Sequence, residues 1–227
     1  MSEPLLYRWP NGAHVGRVVP KTKFYEHSNV TAKTRRKFIE EVQRITWTHK
    51  LAEPTVHLTA REGVTEIQVF VVEAKDEDVG EGLLAAIDRA IPFPVVFEVA
   101  GQHEGDKRIR TVAAYKQLRG SRSPTITAHF TSRWYSAQAP RRPLPTSLDL
   151  AQLYERLLRP LLPVRTSDQE SVAAAAERAE KARNVEHTLE RLERRLRNEP
   201  QFNRKVELRQ QVRELEARLA EFTTPTN

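Results

Sequence analysis

Towards the end of the chain, Val185, Leu189, Leu192 and Leu196 follow one another at spacings of four, three and four residues. That spacing is the apolar seam of a helix that packs along another helix. The seam stops at Asn198-Glu199-Pro200 and resumes with Leu208, Val212, Leu215, Leu219 and Phe222. A proline inside a helical pattern removes a backbone donor and clashes with the preceding turn, so two antiparallel helices are expected rather than one long one. Neither is stable alone in water, so they must pack on each other, on a second copy of the chain or on another protein. The pattern predicts a helical hairpin, resembling a coiled coil, over residues 167–227. Leu189, Leu192, Leu196, Val212, Leu215 and Leu219 are its candidate partner interface.

Ahead of the hairpin the periodicity is mixed. Ser28 or Asn29 is placed to cap a helix over 29–50, in which Phe38, Val42, Ile45 and His49 recur at helical spacing. Pro54 opens an extended stretch from Thr55 to Ala60, and the Arg61-Glu62-Gly63 turn leads into a Val- and Ile-rich strand from Thr65 to Lys75. Asp76, Glu77 and Asp78 start another helix, where acids meet the positive end of the dipole. Its apolar face is Val79, Leu83, Leu84, Ile87 and Ile91, and Pro92 ends it. Strands are expected at Pro94–Ala100, Lys107–Arg119 and Thr125–Tyr135. Residues 1–135 therefore read as an α+β core, a mixed sheet packed with helices. Residues 136–166 read as a Pro/Arg linker, with three prolines between Ser136 and Pro145, followed by a Leu-rich helix over 147–162 that caps the core.

Several classes of chemistry have no support. The chain has no cysteine, which removes disulfides, thiolate zinc sites and cysteine nucleophiles. Its seven histidines form no HExxH-like pairing, and no P-loop, GxSxG or GxGxxG occurs, so no metal or cofactor is expected and nucleotide hydrolysis is not. No apolar run approaches the roughly 18 residues of a membrane span, and MSEPLLYRWP lacks a charged lead and apolar run, so a cytoplasmic setting without membrane contact is expected.

Charge is the positive clue. The net charge is +7, but residues 1–100 carry 13 basic and 14 acidic groups, and residues 167–227 carry 12 of each. Residues 101–166 carry 12 basic and 4 acidic groups, so the whole surplus lies in that third of the chain. Such a field attracts polyanions, nucleic acid first among them, or an acidic protein partner. Lys116, Arg119, Arg122, Arg133, Arg141 and Arg142 are the candidate nucleic-acid contacts, with Tyr115, Trp134 and Tyr135 near enough to stack on bases. Glu66 and Gln68 share one face of an otherwise apolar strand, and with Asp88 and Arg89 they form a polar network or line a cleft.

Two resemblances add to this. Glu73-Ala74-Lys75 ends a strand that is followed by a helix and a strand, an order that resembles the core of the PD-(D/E)xK nucleases. The resemblance implies two carboxylates holding Mg²⁺ and a lysine that orients the attacking water. Alternation puts Glu73 and Lys75 on one face, but Thr55–Thr59 holds no acid, Glu66 faces the other way, and Glu62 lies in the turn. The blocks PKTKFYEH, EIQVFVVEAK, IDRAIPFPVVFE, AAYKQ and NEPQFNRKVEL together resemble an uncharacterised bacterial family, domain of unknown function 4391, from about Pro20 to the C-terminus. That resemblance implies accessory proteins in anti-phage or restriction-like gene clusters with helicases and DNA methyltransferases. The expected function is a non-enzymatic adaptor of a bacterial DNA-processing or defence system, contacting DNA, a larger protein partner, or both. The alternative is a metal-dependent nuclease using Glu73 and Lys75.

Overall fold

Residues Glu66–Ala74 (EIQVFVVEA) form the strand on which the body is built. β-branched side chains fit the pleated surface, and only Val71 and Glu73 are half exposed. The computed structural model describes residues 4–26, 31–118, 124–167 and 169–223. In chain order the body contains β1 (His14–Val18), α1 (Thr22–Glu26), α2 (Ala32–Glu41), β2 (Val42–Ala52) and α3 (Glu53–Val56). These are followed by β3 (Glu66–Ala74), α4 (Glu81–Ala90), β4 (Val95–His103), β5 (Asp106–Gln117), β6 (Thr125–Thr131), β7 (Tyr135–Ser136) and α5 (Leu150–Leu158). The sheet runs in sequence order from β1 to β6, with β7 also paired to β5. All pairs are antiparallel except β3 and β4, which α4 connects as a crossover. The α+β class with a mixed sheet is as expected.

Two boundaries differ from expectation. The helix expected over 29–50 ends at Glu41, and the remainder is β2. The register of β2 on β3 shifts between Val42 and Arg44 and again between Trp47 and His49. An extra residue at a bulge reverses the alternation, so Val42 and Ile45, three apart, both enter the same core. The bulges thus reproduce helical spacing in a strand. The expected cap at Ser28 or Asn29 lies outside the described residues; within them, Thr31 caps α2, its hydroxyl accepting from the Thr34 amide at 3.2 Å. The extended stretch expected at Thr55–Ala60 begins instead as the single turn α3, where Pro54 sits in the first turn and suits a helical start.

One face of the sheet carries α2 and α4. Phe38, Leu83, Leu84 and Ile87 meet Val42, Ile45, Phe70, Val72, Phe97, Val99 and Val112 there. α5 starts at Asp149, whose carboxylate accepts from the Gln152 amide at 2.8 Å, and packs against β3 and β5 through a face that includes Leu150, Leu153, Tyr154 and Leu157. The segment expected as a linker belongs to this body. Arg142 exchanges backbone bonds with the N-terminal segment, donating to Leu6 O at 3.0 Å and accepting from the Arg8 amide at 2.8 Å. Prolines on such an edge leave no unmade ladder bond, which is why a proline-rich stretch pairs here.

The second unit, Leu162–Asn227, contains α6 (Val172–Asn198) and α7 (Phe202–Thr223) packed as a hairpin around the break at residues 199–201. Leu189, Leu192, Leu196, Val212, Leu215 and Leu219 are half-buried on these two helices. Arg178 ties the open end: it donates to Glu170 at 2.9 and 2.7 Å, to Arg165 O at 2.7 Å and to Phe222 O. Replacing Arg178 with alanine removes both its bonds to Glu170, whose side chain is 7% exposed, and its bonds to the Arg165 and Phe222 carbonyls. The expected cost is about 3 kcal/mol, read as a lowered thermal midpoint of the helical circular-dichroism signal. An unchanged midpoint would show that the anchor contributes nothing.

Candidate anion-binding cleft at the ends of the central strands

β3 and β4 are parallel, so their C-terminal ends lie side by side with Glu73 opposite Ala100. Clefts form at this end because the chain leaves both strands there. A cleft of about 450 Å³ opens beside Val71 and Glu73, lined from β2 by Gln43 and Arg44 and after β3 by Lys75 and Asp76. Gly101 and Gln102 of β4 and Lys107, Arg108 and Ile109 of β5 complete it. Gly101 cannot be replaced: a Cβ there would lie 1.9 Å from the Glu77 carbonyl oxygen. The segment after β3 crosses β4 at backbone contact, and the Gln102 amide donates to Asp76 O at 3.1 Å.

Arg44 lies opposite Glu73 in the β2–β3 ladder and donates from Nε and Nη2 to the same carboxylate oxygen, at 2.8 and 2.6 Å. The two neutralise each other. Lys75, Lys107 and Arg108 line the same cleft with Asp76, and among the described residues none of the three cations has an ion-pair partner. Lys75 and Lys107 are exposed and Arg108 is half-buried. The rim beyond is acidic, but Asp78 is held by Arg110 at 2.8 Å and Glu77 lies 3.9 Å from His103. The surplus on the wall suits an anion carried on an extended chain.

No acid stands opposite Glu73 in the ladder: β2 presents Arg44 and β4 presents Ala100. Glu98 is the nearest acid on the same face of β4, opposite Val71. It accepts from Trp9 Nε1 at 2.8 Å and from Arg141 at 2.6 and 2.9 Å, and is 3% exposed. Each carboxylate on this face is thus claimed by an arginine, and among the described residues no three His, Asp or Glu side chains are arranged to hold a metal ion. The donor set does not fit Mg²⁺ at Glu73 and Lys75.

Of the six expected nucleic-acid contacts, Lys116 is buried and Arg141 and Arg142 are half-buried. Lys116 is 2% exposed, and its ammonium donates to the carbonyls of Asp88, Ile91 and Phe93 at 2.7–2.9 Å and meets the Asp88 carboxylate at 2.5 Å. Burial lowers its pKa, against the pull of Asp88. Arg141 is bound to Glu98 and to Tyr7 O, and the bond to Glu98 raises its pKa. The Arg142 guanidinium lies over the Tyr7 ring at 4.5 Å. These three are corrected from phosphate contacts to internal ties. Arg133 is exposed, over the Tyr135 ring at 5.2 Å, and Arg119 and Arg122 lie outside the described residues.

The four expected members of one polar network are separated. Gln68 donates to Glu66 at 2.6 Å and Lys50 pairs with Glu66 at 2.5 Å. Asp88 belongs with Lys116 and with His129, 3.0 Å away, while Arg89 is exposed. Lys75 and Lys107 have the exposed position that Lys116 lacks. The adjacent Lys107-Arg108 pair after the Glu104-Gly105-Asp106 turn was the available sequence signal.

An α+β body with a cation-walled crevice at its parallel strand ends and a helical hairpin defines the class of protein. The family model for Domain of unknown function (DUF4391) matches residues 8–219, and the chain belongs to that family. No curated protein and no solved structure matches it. Among the described residues no helix is long and apolar enough to cross a membrane.

His49, on β2 beside His14 and Trp9, supplies a pH test of the same sheet face. Its Nδ1 is buried without a hydrogen-bond partner, and burial, then His14, lowers its pKa below 6.5, against the pull of Glu98. The unfolded chain therefore binds the proton more tightly, and this group costs stability as pH falls below 6.5 through its folded pKa. Denaturant midpoints of His49→Phe are expected to fall less than those of the parent between pH 6.5 and about 5. Parallel curves would contradict the assignment.

Proposed function

We propose that the chain is a non-enzymatic accessory protein that holds the sugar–phosphate backbone of nucleic acid in the cleft at the ends of β3 and β4. The setting is a bacterial DNA-processing or anti-phage system, with a larger helicase or methyltransferase as its partner, as the family resemblance implies. The observation that carries the reading is Arg44 opposite Glu73. An arginine opposite Glu73, where a nuclease would need a second carboxylate, speaks against a metal site there and supports Lys75, Lys107 and Arg108, which line the same cleft, as anion contacts. Phosphate contacts of this kind position a ligand without reading its sequence.

Fluorescence anisotropy of a labelled DNA duplex, titrated from low to high salt, tests this. Binding is expected to weaken with salt, and Lys107→Glu with Arg108→Glu to reduce the log–log slope by about two. No cleavage is expected in Mg²⁺. Absence of binding at low salt would overturn the proposal, as would Mg²⁺-dependent cleavage that Glu73→Gln abolishes.

A further inference from the structure

The hairpin's charges cancel overall, yet they are sorted along its length. Residues 191–209, which include the turn between α6 and α7, carry seven basic and three acidic groups. The described residues of the remainder, 169–190 and 210–223, carry five basic and eight acidic groups, so the turn end is cationic and the open end anionic. Arg191, Arg194, Arg195, Arg197, Arg204 and Arg209 are exposed, and among the described residues only Arg194 of these has an ion pair, with Glu190 at 3.7 Å. Among them stand two apolar side chains in water: Phe202, 73% exposed at the first residue of α7, and Val206, 49% exposed one turn later on the same side. The leucine seam is half-buried where the two helices pack, so Phe202 and Val206 are not needed to hold the hairpin.

The geometry points to the turn end of the hairpin as a second binding surface, for single-stranded nucleic acid, with Phe202 stacking on a base and the surrounding arginines holding its phosphates. One ring beside one valine is far smaller than the roughly 800 Å² a stable protein partner covers. A single exposed aromatic in a cationic field is what base stacking needs, since every base offers a π-face and the backbone brings the negative charge. The surface lies wholly on the hairpin unit and shares no residue with the cleft of the body.

The test uses the full chain and a fluorescein-labelled oligothymidylate. Phe202→Ala is expected to weaken binding about tenfold, and Phe202→Trp to preserve it. Phe202→Leu, which keeps an apolar group but no ring, is expected to behave like the alanine variant. Arg195→Glu, Arg197→Glu and Arg204→Glu together are expected to reduce the salt slope by about two. Thermal melting by circular dichroism confirms that these exposed changes leave the hairpin folded. Oligonucleotide binding unchanged in both the Phe202→Ala and the triple variant would overturn the inference, including when the triple variant instead loses binding to anionic vesicles or to an acidic polypeptide. Loss of binding only in the Lys107/Arg108 variant sustains the cleft and overturns the turn-end surface. Binding that survives that variant but fails in the hairpin variants does the reverse.

Discussion

The burial of Lys116 against the end of α4 is the interaction that holds the sheet's one parallel pair in place. α4 carries the chain from β3 to β4, and the carbonyls at and after a helix end need donors from outside the helix. Lys116, reaching over from β5, donates to the Asp88 carbonyl in the last turn of α4 and to the Ile91 and Phe93 carbonyls just after it, and pairs with the Asp88 carboxylate, which also meets His129 of β6. A buried pair of this kind adds little net stability, because desolvation offsets attraction. Breaking it is costly, however, so it disfavours other placements of α4 on the sheet. The side-by-side ends of β3 and β4, and hence the cleft, depend on that placement.

The same logic accounts for the uneven charge along the chain. Asp78, Asp88 and Glu98, all from the first hundred residues, hold Arg110, Lys116 and Arg141 from the basic stretch that follows. Three of the twelve cations of residues 101–166 are therefore the complement of acids earlier in the chain. What reaches solvent at the cleft is Lys107 and Arg108. On the opposite wall an arginine answers Glu73 where hydrolytic chemistry would need an acid. On the proposed reading this surface holds a phosphate chain.

What was legible in the sequence follows from the range of each signal. The hairpin and its break at Pro200 were readable because heptad spacing is local and strong. β3 and α4 were readable from composition and from the acids that precede α4. The start of β2 was hidden because its bulges place Val42 and Ile45 on one face at helical spacing. The membership of residues 136–149 in the body was hidden because their partners, Leu6, Tyr7, Arg8 and Glu98, lie 43 or more positions away in sequence. Lys116 and Arg141 misled for the same reason: composition counts a cation, while only the fold shows which acid or carbonyl holds it.

Hydrogen–deuterium exchange of the full chain, with and without a partly single-stranded DNA, tests most directly the claim that this protein grips nucleic acid by backbone charge. The account predicts slowed exchange at the strand ends that line the cleft, around residues 101–109, and on the hairpin around 195–206, with β3 and α4 unchanged. Protection absent from both regions, or confined to the helix face of the sheet, would contradict it.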